Sequence, residues 1–170
     1  FIGKRREDEW GKLFEAGLKK HAVEPKLFTS KTATGHVLSI ITPDAQRSML
    51  TYLGASGETD PRDITPDLFK NAALVHLEGY LLFNRELMMA TLEAAKKSGA
   101  MISLDLASYT VVEAAMDLLK TIIRDYIDIV IANEDESRAY TGLADEEKAL
   151  EALSKEVEIA VVKLGKRGSL

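Results

Sequence analysis

Apolar residues at Trp10, Leu13, Phe14, Gly17 and Leu18 recur at i, i+3, i+4, i+7 and i+8, which predicts an amphipathic helix ending near Lys20. The pattern then changes. Gly35 to Thr42 and Arg47 to Leu53 are β-rich runs separated by the turn-type segment Pro43-Asp44-Ala45-Gln46, so a β-hairpin is expected over Thr34 to Gly54. Glycine, alanine and proline make Gly54 to Pro66 a surface loop, and Thr65-Pro66 offers a helix start with a capping hydroxyl and proline at the first helical position. From there apolar runs and helical stripes alternate. Ala73 to Leu77, Met101 to Leu104, Ile127 to Ile131 and Ile159 to Leu164 read as strands. Between them lie helical segments at Asn84 to Lys97, at the stripe Val112, Ala115, Met116, Leu119, Ile122 and Ile123, and at Asn133 to Tyr140 and Asp145 to Lys155. Continuous apolar strands linked by helices predict a parallel sheet buried on both faces, an α/β layered architecture with the hairpin as an appendage.

Composition narrows the chemistry. The 170 residues carry 22 basic and 27 acidic side chains and no cysteine, which excludes disulfide scaffolds, thiolate metal sites and thiol catalysis. With 46% hydrophobic and 29% charged residues, one ordinary soluble globular domain over 1–170 is expected. The net charge of −5, with no basic run longer than Lys4-Arg5-Arg6, argues against nucleic acid or anionic membrane as partner. No apolar stretch nears the roughly eighteen residues of a membrane span, and the start has no signal-peptide order, so a cytoplasmic location is expected. Phe1 at the start and a turn-like end at Arg167-Gly168-Ser169-Leu170 suggest a chain cut at both ends.

Ligands of parallel α/β sheets bind beyond the carboxyl ends of the strands. The polar stops there are Glu78, Asp105, Asn133 and Gly165. Asn133-Glu134-Asp135-Glu136 has two readings: a capping box, or an amide and carboxylate that meet a hydrated magnesium ion and its phosphates. Lys163-Leu164-Gly165-Lys166-Arg167-Gly168 is either a tight turn into a following strand or a backbone that lets a ring or phosphate approach. It is not a Walker A loop. His21, His36 and His76 lie far apart, which leaves no support for a histidine metal site or a catalytic triad; His76 reads as a core residue, and Met88, Met89 and Met101 as packing.

Taken in order, Phe1-Ile2-Gly3-Lys4, Asp8-Glu9-Trp10-Gly11, Thr34-Gly35, Arg47-Ser48-Met49, Glu78-Gly79-Tyr80, Ala132-Asn133-Glu134-x-Glu136 and Lys163-x-Gly165-x-x-Gly168-Ser169 resemble the ribokinase-like PfkB family of carbohydrate and nucleoside kinases. The hairpin looks most like the adenosine-kinase-like and sugar-kinase branch. The resemblance implies a ribokinase-like fold and ATP- and magnesium-dependent transfer of a γ-phosphoryl group to a hydroxymethyl group of a sugar or nucleoside. By position it implies that Asn133 and Glu136 serve magnesium and phosphate, Glu136 through water, and that Lys163, Gly165 and Gly168 line the nucleotide. It further implies that Glu78 and Asp105 face the substrate, and that the hairpin is a lid and a homodimer contact.

The family's Gly-Ala-Gly-Asp loop, which carries the base for the acceptor hydroxyl, is not in this sequence, and neither is the segment with the first sugar-binding aspartate. No catalytic residue is therefore assigned here, and the chain alone is expected to be inactive. Arg5-Arg6 stands where the family has a small or apolar pair. Two rivals are a non-catalytic binding or interaction protein on the same fold and a nucleotide-binding dehydrogenase. The second lacks its Gly-x-Gly-x-x-Gly after any expected strand.

Overall fold

The computed structural model describes all residues from Phe1 to Leu170, in two compact units, Phe1–Asp63 and Ile64–Leu170. In the first, β1 (Ile2–Arg5), α1 (Glu9–Lys20) and β2 (Lys26–Thr29) form a βαβ motif whose two strands pair in parallel. Neither strand was expected from the sequence. Four residues each, one holding a glycine and two basic residues, are too few to display a period. The Asp8 carboxylate caps α1 by accepting from Gly11 N (2.9 Å), and also accepts from Thr34 N (2.9 Å) and Thr34 Oγ1 (2.6 Å). Gly11 has no substitute: a Cβ there would lie 2.0 Å from the Arg6 carbonyl oxygen.

The rest of this unit departs from expectation in three places. The apolar stripe of α1 stays open, with Trp10 60% and Leu13 63% exposed. Arg5 folds its guanidinium onto Glu15 of α1 and onto Glu7, so the turn after β1 forms around the departing pair. Residues 54–63 fold into two short 3₁₀ turns, Gly54–Glu58 and Pro61–Asp63, with Ala55 fully buried. The Glu58 carbonyl accepts from Lys4 Nζ (2.8 Å) and its carboxylate from Ser30 Oγ (2.5 Å), which ties the first turn down. The hairpin is as expected: β3 (His36–Ile41) pairs antiparallel with β4 (Arg47–Tyr52), Leu38 opposite Leu50, and every residue of both strands is exposed.

The second unit is a four-stranded parallel sheet, β5 (Leu74–Glu78), β6 (Met101–Asp105), β7 (Ile129–Asn133) and β8 (Ile159–Lys163), in sequential order. The crossovers are α2 (Arg85–Ser98), then α3 (Tyr109–Ala114) with α4 (Met116–Tyr126), then α5 (Glu134–Thr141) with α6 (Glu146–Leu153). Right-handed crossovers that always step the same way put every helix on one face. That face holds Val75, Leu77, Ile102, Leu104, Val130, Ala132 and Val162, all buried, beneath Met88, Leu92, Leu119, Ile122 and Leu153. Fully burying such a side chain contributes about 1.5–3 kcal/mol. The opposite face leaves Leu74, Met101 and Ile159 exposed, so the expected two-sided burial does not hold and Met101 is no packing residue. His76 shares that open face, half-exposed, and is not a core residue. Pro66–Phe69 forms only a 3₁₀ turn, without a side-chain cap from Thr65. After β8 the chain turns tightly through Gly165–Arg167, and Ser169 bridges antiparallel to Lys163. No helix is long and apolar enough to cross a membrane.

Candidate functional site

The carboxyl ends of β6, β7 and β8 bring Asp105, Asn133, Glu136 and Lys163 together. Asn133 pairs in register with Lys163, and Asp105 lies two residues back on the same sheet face, beside Ile131. Lys163 Nζ therefore reaches across β7 to Asp105 Oδ2, at 2.5 Å. The other carboxylate oxygen of Asp105 accepts from Ala107 N (3.0 Å), which fixes its orientation at the start of the following loop.

One strand further, Asn133 ends β7 and caps α5. Its Oδ1 accepts from Glu136 N (2.9 Å), while Glu136 Oε2 accepts from Asn133 N (2.8 Å) and Oε1 from Asn133 Nδ2 (2.7 Å). The capping-box reading is thus realised in full. Glu136 is only 2% exposed. Burial pushes its carboxyl above the ordinary range; the Asn133 backbone N–H and Lys163 oppose this, and Asp105 and Asp135 add to it. Two carboxylates and one ammonium converge here.

The turn after β8 flanks this cluster. Gly165 (φ 55°) and Gly168 (φ 92°) both sit in the left-handed region, and a Cβ at either would meet open space, so glycine is needed there for backbone sign alone. Arg167, which the sequence reading passed over, anchors the turn. Its Nη1 donates to Glu146 Oε2 (2.8 Å) and its Nη2 to Glu146 Oε1 (2.6 Å), with Glu134 Oε1 at 3.4 Å. The only sequence signal for it is a basic residue in the turn facing acidic first turns of two helices.

Glu78 is the member left out. It pairs in register with Asp105, yet its carboxylate faces His76 Nε2 at 3.7 Å, and His76 Nδ1 lies 2.8 Å from Ser103 Oγ.

No three histidine, aspartate or glutamate side chains converge in a metal-holding cluster. The donors present at the strand ends are hard oxygens on Asp105, Asn133 and Glu136, each with lone pairs to spare. Such a set suits magnesium, which keeps most of its water and takes few protein carboxylates. Paired with Lys163 and an open glycine turn, it is a surface on which a phosphate chain and its cation could be neutralised together.

A family model described as pfkB family carbohydrate kinase matches residues 1–170. Fructokinase-2 of Solanum lycopersicum is 26% identical over 181 residues, covering 99% of this chain and 55% of that protein. The solved adenosine kinase from Sinorhizobium meliloti superposes with a TM-score of 0.88 at 28% identity, covering 98% of this chain and 53% of that one. A putative ribokinase II from E. coli, solved in complex with ATP and Mg2+, gives 0.83 at 19% identity, covering 99% and 57%, a likeness of fold. The chain spans about half the length of the curated relatives it matches.

Proposed function

The chain belongs to the pfkB family of carbohydrate kinases, and on that premise we propose that it supplies the nucleotide end of an ATP-dependent sugar or nucleoside kinase. The reaction is transfer of the γ-phosphoryl group to a hydroxymethyl oxygen: a new P–O bond forms there, the bond to the β-phosphate oxygen breaks, and the acceptor proton goes to a base outside these 170 residues. The observation that carries this reading is the meeting of Asp105, Asn133, Glu136 and Lys163 at the carboxyl edge of a parallel sheet. Catalysis of phosphoryl transfer is largely positioning and charge stabilisation, which is what this set can do.

Magnesium, when bound, neutralises phosphate charge. Glu136 holds Asn133 through three hydrogen bonds, two of them to its side-chain amide, and would hold the ion through water. Lys163 offers an ammonium to the phosphates, with Asp105 as its resting partner. Gly165 and Gly168 let the nucleotide approach the backbone. Asp105 faces the acceptor, whereas Glu78, turned to His76, is left out of this role. The hairpin of residues 34–54 serves as the lid and as the contact of a homodimer, with its apolar side chains on both faces calling for cover.

Calorimetric titration of the 170-residue chain with ATP, with and without magnesium, tests the proposal, alongside transfer assays on fructose, ribose and adenosine. Magnesium-dependent ATP binding without transfer is expected. No binding, or binding indifferent to magnesium, would contradict it.

A further inference from the structure

Arg167 is held by two carboxylates that begin two different helices. Glu146 is the first residue of α6 and Glu134 the first of α5. The guanidinium meets Glu146 with two parallel hydrogen bonds, the fork geometry that fixes orientation as well as charge. Backbone bonds close the turn around it: Arg167 N donates to Leu164 O (3.0 Å) and Leu164 N to Gly168 O (2.8 Å). The side chain therefore decides where the Gly165–Gly168 backbone stands against the amino ends of α5 and α6.

Charge makes the same point. Glu134, Asp135 and Glu136 fill the first turn of α5, and Glu146 and Glu147 that of α6. An approaching polyphosphate would face these anions, and Arg167 pairs with two of them, Glu134 and Glu146.

We propose that Arg167 is a positioning residue for the nucleotide, acting through Glu146 on the glycine turn and not by touching phosphate. The inference rests on the nucleotide reading of the site. The guanidinium is already forked onto one carboxylate and leans on a second, so a phosphate would have to compete with two anions that hold its orientation. Preorganisation of the turn is the more economical role.

The two roles differ in sign on one variant. If Arg167 were a phosphate ligand, Glu146→Gln would release it and tighten nucleotide binding. As a positioning residue it needs Glu146, so the same variant weakens binding. The experiment is calorimetric titration of Mg·ATP into the 170-residue chain, with melting temperature measured in parallel. Arg167→Gln and Glu146→Gln are each expected to lower affinity about five- to tenfold with nearly unchanged melting. The exchanged pair, Arg167→Glu with Glu146→Arg, restores most of the loss. Tighter binding by Glu146→Gln, unchanged affinity in Arg167→Gln, or an exchange no better than the single variants would overturn the inference. Wild-type chain that fails to bind Mg·ATP would bring down the nucleotide reading and the inference with it, whereas normal binding by every variant brings down the inference alone.

Discussion

Replacing Glu136 separates its two roles. In Glu136→Ala both carboxylate oxygens go, which leaves the Asn133 backbone N–H and one amide N–H without their partners and opens a hole at a 2% exposed position. Loss of the box costs about 0.5–2 kcal/mol and the unpaired donors raise that, so about 2–4 kcal/mol is expected. Glu136→Gln behaves differently. Its oxygen still accepts from the Asn133 backbone, but its amide N–H₂ meets Asn133 Nδ2 donor to donor, a loss of about 1 kcal/mol. Against this, the substitution removes a charge that burial and Asp105 both disfavour. The sign with pH follows. A carboxyl raised in the folded state contributes most below the ordinary carboxylate range, and that contribution is lost as pH rises through the raised value. Wild type should therefore lose ground to Glu136→Gln as pH climbs from the carboxylate range to neutrality. Urea unfolding followed by circular dichroism across this range measures both effects. The reasoning fails if Glu136→Ala lies within about 0.5 kcal/mol of wild type, or if the Gln difference is flat or grows in wild type's favour with pH. If Glu136 also orders water around magnesium, the Gln variant needs more magnesium for the same ATP affinity while its stability barely moves.

Three hydrogen bonds from Gly11 and Thr34 hold the Asp8 carboxyl at about 2, so the stability it contributes is present above its ordinary value and is lost as pH falls through about 2. Fluorescence of the single tryptophan, Trp10, should show Asp8→Asn losing stability at neutral pH and flattening that acid limb; an unaltered acid midpoint would contradict this. Within the same helix, Gly11→Ala must displace the Arg6 carbonyl and is expected to cost about 1–3 kcal/mol. Gly17→Ala meets nothing within 4 Å and should gain about 0.5–1 kcal/mol, so equal effects at the two positions in urea unfolding would refute the close-approach argument.

Most of the second unit was legible because each strand is an apolar run and each crossover carries caps that act as written: Asn84, Ser108, Asn133 and Asp145 all accept from a backbone N–H in the first turn of their helices. The split between α3 and α4 at Ala115 was not legible, since Val111 and Val112 before it and Leu119, Ile122 and Ile123 after it continue one buried stripe. One-sided burial of the sheet was hidden too. Leu74, Met101 and Ile159 are as apolar as their buried neighbours, and only the sequential strand order reveals that the helices share a face. At the site, strand-end logic located Asp105 and Asn133, because a polar residue closing an apolar run must stand at the sheet edge, whereas Lys163, inside the expected strand, came only from the family resemblance. The same logic also drew in Glu78, which turns to His76, and it passed over Arg167, whose importance depends on two helix starts far from it in sequence.

Mapping Mg·ATP onto the chain by amide chemical-shift changes tests the central claim most directly. Shifts concentrated at Asp105, Asn133, Glu136, Lys163, Gly165 and Gly168, absent without magnesium, are the expected result. Shifts confined to the opposite end of the sheet, around Gly99 and Arg124, or no shifts at saturating nucleotide, would contradict it.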